Sequence, residues 1–564
     1  MKYSFYQINI KICITFLLIT LISACNSQTD SKLTQVNDSP IRSNFQQPNI
    51  IFIMSDDHSQ RAISAYGNNL IQTPNIDRIA NEGVIFQNSF VANSICGPSR
   101  AIMLTGKHSH INGFKDNHSR FNGSQPTYPQ YLQQAGYQTA VVGKWHLGSD
   151  PVGFDYWEIL RGQGFYYSPV FITNKANKKS IKKEVRDKLG NISKIELENT
   201  YTGAYATTKT GDLALDFLQS RDKSKPFAMI YNHKAPHRNW MPNVDDLGIV
   251  DTKHLKVPNN FYDNYHNRPA AKLQALEIND MYLSYDLKLS QQDYQGDLTD
   301  INQGWPAQWK KLYNRMTQVQ QHKWDAYYQV LNKEYQLVKS NNKALLEWRY
   351  RRYMHDYLSS IHSMDKDIGR ILDYLDQQNL TNDTIVVYTS DQGFFIGEHG
   401  WFDKRFMYEE TMRTPLVIRY PEKIKPGQKI HQMVQNIDYA PTLLDFAGIN
   451  PPEDIQGLSL KSLLTKQQPI KRDALYYHYY EGIEKEHKVS KHEGIRTNDH
   501  KLIHFKDVGV DHFELFDLNK DPSEMVNIFN NPKFRTTQDE LLSKLEQLKH
   551  HYKVYQKDES KNEG

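Results

Sequence analysis

The chain has 564 residues, of which 39% are apolar and 23% charged, and its formal net charge is +4. That length has room for two or three domains, and the composition is that of a soluble globular protein. The charge is too mild to argue for nucleic acid as a partner and does no more than permit an anionic substrate.

Lys2 and Lys11 flank the start of an apolar run at residues 12–22. The run is too short to span a bilayer and reads as the core of a secretory signal peptide covering residues 1–24. The segment Leu21-Ile22-Ser23-Ala24-Cys25 looks like a bacterial lipobox. It implies a protein lipid-anchored at Cys25 in the bacterial cell envelope, periplasmic or at the cell surface, whose only membrane contact is the N-terminal lipid. Without lipidation the product would be secreted and soluble. Residues 25–47 are polar and aperiodic, a flexible tether. Cys13 lies in the cleaved segment and Cys25 would carry the lipid, so Cys96 has no disulfide partner.

Short apolar runs at residues 49–54, 139–142, 227–231 and 384–389 predict buried strands. Met354, Tyr357, Leu358, Ile361, Met364, Ile368, Ile371, Leu372 and Leu375 recur at helical spacing and predict a long amphipathic helix. Strands alternating with helices give an α/β fold with a large mixed, mostly parallel sheet, whose active site gathers beyond the carboxyl ends of the strands. The catalytic domain is placed at residues 48–447, with an insertion over the active-site face around 166–343. A C-terminal subdomain follows at 448–556, with short antiparallel strands at 474–480, 494–496 and 501–505 and a helix near 541–552. Residues 557–564 read as a disordered tail.

Each predicted strand ends at candidate chemistry. Asp56 and Asp57 follow the first, and Asp391 and Gln392 follow the strand at 384–389. Carboxylates converging there without a His or Cys cluster call for a hard cation, Ca²⁺ or Mg²⁺, and not zinc. Cys96-Gly97-Pro98-Ser99-Arg100 opens a predicted helix with proline in its first turn, where an anionic nucleophile is stabilised. Lys144 and His146 follow the strand at 139–142 at alternate positions and so face the same way. His237 follows Pro236 beyond the strand at 227–231, and His233 reads as a satisfied loop histidine. Lys404 lies shortly after the second carboxylate pair, with Arg405 and Glu409 expected to hold its loop.

These blocks resemble the type I, formylglycine-dependent sulfatases of the alkaline phosphatase superfamily, over nearly everything from Gln47 to about residue 530. The resemblance implies an alkaline-phosphatase-like fold and a Cys96 oxidised by a separate formylglycine-generating maturase. It implies one Ca²⁺ held by Asp56, Asp57, Asp391, Gln392 and the modified residue 96. Gln392 stands where the family often has asparagine. Arg100, Lys144 and Lys404 would hold the nucleophile or the sulfate oxygens. The hydrated aldehyde would attack sulfur, His237 would protonate the leaving sugar oxygen, and His146 would serve residue 96, the two histidine roles being interchangeable on sequence alone.

Two other readings remain open: a phosphate or phosphonate monoester hydrolase on the same scaffold, and a catalytically silent glycan-binding lipoprotein. The favoured substrate is a sulfated oligosaccharide, with ulvan-type algal polymers first and carrageenan-type galactose or glycosaminoglycan glucosamine sulfates next. A basic stretch at residues 487–496 resembles the segment by which polysaccharide sulfatases bring their C-terminal domain over the active-site mouth. It offers His487, His492 and Arg496 as sugar contacts.

Overall fold

The four predicted strands lie next to one another at the centre of a single sheet, although their order in space is not their order in sequence. The computed structural model describes residues 47–178, 180–186, 191–290, 293 and 304–555. The signal peptide, Cys25, the tether before Gln47 and the tail at 557–564 lie outside the described residues. Among those described, eleven strands form the main sheet in the order Gln428–Ile430, Val84–Phe86, Leu416–Arg419, Thr384–Ser390, Asn49–Ser55, Phe227–Asn232, Gln138–Lys144, Tyr156–Leu160, Val170–Thr173, Ile192–Thr200, Ile181–Arg186.

The five central strands, from Thr384–Ser390 to Tyr156–Leu160, run parallel, and the flanking pairs are mostly antiparallel. The central strands read as continuous apolar runs because both faces are covered. Ile50, Phe52 and Met54 pack on one face with Tyr128, Leu132 and Leu443. Ile51 and Ile53 pack on the other with Leu213, Ile368 and Leu372. The long amphipathic helix is Asn342–Gln377, started by the Asn341 side chain, which accepts from the Ala344 N–H at 3.0 Å.

Residues 166–343 are not only loop: four of the sheet's strands, the helix Ala206–Ser220 and the helix Gln318–Val338 fall within them. The strands Ile181–Arg186 and Ile192–Thr200 were not anticipated. They sit at the sheet edge with mostly exposed or half-buried side chains, so they lack a buried apolar run to read.

The C-terminal region is a four-stranded antiparallel sheet in the order Ala474–Tyr479, His492–Thr497, His500–Asp507, Val510–Asp517, followed by the helix Arg535–His551. One face packs Tyr476, Ile495, Leu502 and Leu515 on Leu541 and Leu545 of that helix. The opposite face packs Tyr477, Tyr479, Ile503 and Phe505 on Trp401, Phe406 and Tyr408. The small sheet therefore buttresses the loop that carries Lys404. The fold is the expected α/β architecture with its mixed, mostly parallel sheet and C-terminal antiparallel sheet plus helix.

Candidate active site

Strand register brings the chemistry together. Ser55 pairs with Ser390, and Met54 with Asn232, so the segments after three strands leave the sheet at one level. Asp56, Asp57, Asp391 and Gln392 are thereby neighbours, all essentially inaccessible to solvent. One oxygen from each of the three aspartates lies within 4.8 Å of the others. The Asp57 N–H donates to Asp391 Oδ1 at 3.1 Å.

Cys96 is the first residue of the helix Cys96–Thr105, with Pro98 in its first turn as expected. The Gly97 N–H donates to Asn117 Oδ1 at 3.0 Å, and a side chain on Gly97 would collide with Phe114 and Asn117. Arg100, one turn on, donates through Nε and Nη2 to Asp391 Oδ2 at 3.0 and 2.9 Å and through Nη1 to the Lys144 carbonyl at 2.8 Å. Lys144 reaches Asp56 at the end of its strand. The preceding Gly143 has φ 92° and is pressed against the Asn232 carbonyl, where no side chain fits. Lys404 Nζ lies 2.6 Å from Asp57 Oδ2 and 3.3 Å from Cys96 Sγ.

The electrostatics follow from burial. Burial, Asp56 and Asp391 push the Asp57 carboxyl up to about 7 against the pull of Lys404. Burial and Asp56 push Asp391 up to about 6. Against the same burial, Lys144, His237 and Arg100 hold Asp56 well below the usual carboxylate range. Three carboxylates this close together suit a bound cation. Asp56 Oδ1 and Gln392 Oε1 are also buried with no hydrogen-bond partner. These orphaned oxygens fit a hard cation held by Asp56, Asp57, Asp391 and Gln392. Gln392 turns Nε2 toward Asp57 and leaves Oε1 free, and a half-turn of the amide exchanges the two ends.

Burial and Asp56 push the Cys96 thiol pKa up, the opposite of what an activated cysteine needs. His237 pairs Nδ1 with the Arg238 carbonyl at 2.7 Å and directs Nε2 to 3.8 Å from Asp57 Oδ2. Burial and Lys144 hold both His237 and His146 well below the ordinary histidine range, so both are neutral here. Among the described residues, His146 Nδ1 has no hydrogen-bond partner.

Non-glycine residues at positive φ cluster at this site: Asp57 (70°), His146 (58°), Asp403 (77°) and Arg405 (91°). Such backbone is costly and persists where a side chain must be aimed.

Three expectations change. His233 is not a satisfied loop histidine: it is fully buried at the end of its strand, neither ring nitrogen has a partner, and burial pushes it down to about 3. His492 is not in the cleft. Its ring lies between Phe505 and Tyr477, and it is 2% exposed. Arg496 is likewise buried, donating to Glu409 Oε1 at 3.0 Å and Oε2 at 3.1 Å. Both alternate onto the face of the small sheet that packs against the catalytic loop, which removes them from sugar contact. Glu409 also receives Lys501 at 2.9 Å, so it holds the loop as expected.

Of the three basic-stretch residues, His487 alone stays near the site, with Nε2 3.9 Å from Asp403 Oδ2. Asp403 itself was passed over in the sequence. Against burial, Arg405, His487 and Lys404 hold its carboxyl far below the usual range. Its signal was adjacency to Lys404, masked by the ordinary look of an Asp-Lys-Arg run.

Residues 48–449 match the sulfatase family model, and residues 397–551 match the model of the N-sulphoglucosamine sulphohydrolase C-terminal region. The chain belongs to the sulfatase family. It is 47% identical to an N-acetylglucosamine-6-O-sulfatase of Bacteroides thetaiotaomicron, over 92% of this chain and 89% of the relative. It is 28% identical to an arylsulfatase of Clostridium perfringens, over 87% and 92%. Among solved structures, one in complex with its substrate D-glucosamine-2-N,6-O-disulfate superposes with a TM-score of 0.82 at 47% identity, covering 92% of this chain and 100% of that one. A phosphonate monoester hydrolase from Silicibacter pomeroyi, at 18% identity and a TM-score of 0.65 over 90% and 96%, shares the fold. This sulfatase is thus a sulfuric ester hydrolase of alkaline-phosphatase-like fold.

Proposed function

We propose that this sulfatase removes the 6-O-sulfate from glucosamine units of sulfated glycosaminoglycan fragments. What carries the reading is the 47% identity, across 92% of the chain, to a relative named for that activity. Glucosamine sulfate, which the sequence ranked behind ulvan, moves to first choice, and nothing beside it supports the algal polymer.

Residue 96 converted to formylglycine would supply an oxygen nucleophile in place of the inert thiol. A Ca²⁺ held by Asp56, Asp57, Asp391 and Gln392, with Mg²⁺ as the other hard-ion choice, would neutralise the carboxylates and polarise oxygen beside residue 96. The chain's own groups do the rest. Lys404, already against residue 96, and Lys144, one carboxylate away, hold anionic oxygen there. Arg100 ties Asp391 to the Lys144 backbone and keeps the helix end facing the cluster. Anchoring of Nδ1 by a carbonyl leaves His237 Nε2 to carry a proton to the leaving sugar oxygen, once an anionic substrate stabilises the charged ring. His146, on the same edge as Lys144, takes the proton-handling role at residue 96. Asp403, Arg405 and His487 form a polar wall beside Lys404 suited to sugar hydroxyls.

The test is sulfate release, read by ion chromatography, from N-acetylglucosamine 6-sulfate, N-acetylgalactosamine 6-sulfate, ulvan and carrageenan oligosaccharides and a nitrophenyl phosphate. Release from the glucosamine ester far above the others supports the reading. Preference for an algal oligosaccharide or for the phosphate ester would overturn it.

A further inference from the structure

A cavity of about 540 Å³ opens beside His237, walled by Tyr285 and by Trp305 of the helix Gly304–Tyr313. Three cationic side chains, Lys234, Arg238 and Lys311, line it. Their charges are not equivalent. Arg238 is matched by Asp286, donating from Nε at 2.8 Å and Nη2 at 2.7 Å, and its guanidinium lies over the rings of Phe402 and Trp305. It is a neutralised wall.

Lys234 is different. Its side chain sits in a residue only 5% exposed, and among the described residues no carboxylate pairs with its ammonium. The Tyr166 ring lies beside it, its centroid 5.0 Å from Nζ. An ammonium buried without a paired carboxylate is expensive, and burial together with Lys144 pushes it down to about 7 against the more distant pull of Asp56 and Asp57. Nothing in the reaction described above uses it. The Lys234 carbonyl accepts the His237 N–H at 3.0 Å, so both residues belong to one turn and the cavity adjoins the proton-carrying histidine. Lys311, exposed on the opposite wall, adds a second positive charge.

We propose that this cavity is a second anion subsite, anchored by Lys234, for an anionic substituent of the substrate other than the sulfate being removed. The proposal rests on the glycosaminoglycan reading, in which that substituent is a sulfamate on the same sugar or a carboxylate on the adjoining uronate. Either supplies the charge the cavity lacks, and the aromatic walls suit the faces of a sugar ring.

The test compares kcat/KM for D-glucosamine-2-N,6-O-disulfate with that for N-acetylglucosamine 6-sulfate, and a uronate-containing 6-sulfated disaccharide with its monosaccharide. Lys234→Met lowers one of these ratios about tenfold, the size of one lost charge-assisted contact, and Lys234→Arg restores most of it. The first ratio assigns the sulfamate and the second the carboxylate. Both ratios unchanged in Lys234→Met overturn the subsite. Should that chain fail to fold, Lys311→Met, on the exposed wall, decides in its place, with an expected drop of about threefold. If the wild-type enzyme hydrolyses no 6-sulfated glucosamine, the substrate reading falls separately. The subsite is then judged by calorimetric binding of D-glucosamine 2-N-sulfate and of free glucuronate, both of which lack the scissile ester. Weaker binding of either probe to Lys234→Met supports it, and equal or absent binding of both overturns it.

Discussion

Lys404 places its ammonium 3.3 Å from the Cys96 sulfur, where burial and Asp56 raise the thiol pKa. Lys404 is matched by Asp57, 2.6 Å away, and reaches residue 96 as its second neighbour. On the reading proposed above, residue 96 acts as formylglycine. Cys96→Ala is expected to abolish sulfate release while retaining the fold, and Lys404→Met to lower kcat/KM by about a thousandfold. Peptide mass analysis of active enzyme should show the thiol mass replaced by that of the aldehyde. Active enzyme with an intact thiol would refute the assignment.

The three aspartates make a metal prediction. Asp56→Ala and Asp391→Ala should each lose bound Ca²⁺, read by atomic emission, together with activity. Asp391→Ala also strips Arg100 of its carboxylate partner, so it should cost about 3 kcal/mol of stability as well, read by denaturant melts. Full metal content in both variants would discard the site.

The basic stretch splits into two kinds of residue. Arg496→Met removes a buried partner of Glu409 and is expected to cost about 2 kcal/mol with KM for oligosaccharide little changed. His487→Ala, beside Asp403, should raise KM about fivefold with little effect on the melting temperature. The reverse pattern would return Arg496 to the cleft.

A pH signature sits away from the catalytic cluster. Burial and Glu409 push Glu524 up to about 7 despite Lys501 at 2.7 Å, against an unfolded value of 4.5. Between those values the folded chain binds more protons than the unfolded one, so this group's contribution to stability falls as pH rises from 4.5 to 7. Glu524→Gln is expected to gain melting temperature on the wild type across that window, by a few degrees, with no further relative change above it. A wild-type minus variant difference that is flat from pH 4 to 8 would remove the claim.

Much of the site was legible along the chain because its parts are local. A buried parallel strand reads as an unbroken apolar run, and the residue just past its end is where polar chemistry begins. Asp56, Lys144, His237 and Asp391 could therefore each be found from the few residues before them. The helix opened by Cys96 and the long helix through Met364 were readable for the same reason, the one from proline in its first turn and the other from its period.

Other features exist only once distant segments meet. Strand order puts residues 387, 52, 230 and 141 side by side, and no local pattern encodes that order. His492 and Arg496 look like exposed basic residues in sequence, yet alternation along their strand turns both onto the face covered by Phe406 and Glu409. Lys234 was an unremarked lysine two residues before a proline, and its meaning comes from Tyr166, Tyr285 and Lys311, brought to it from separate parts of the chain. Sequence by itself determined the family and singled out Cys96 and the carboxylates that the fold brings together, since each depends on residue type and short spacing. Tertiary structure decided which cations are matched and which are left facing a cavity, because burial and pairing are properties of packing and not of the chain.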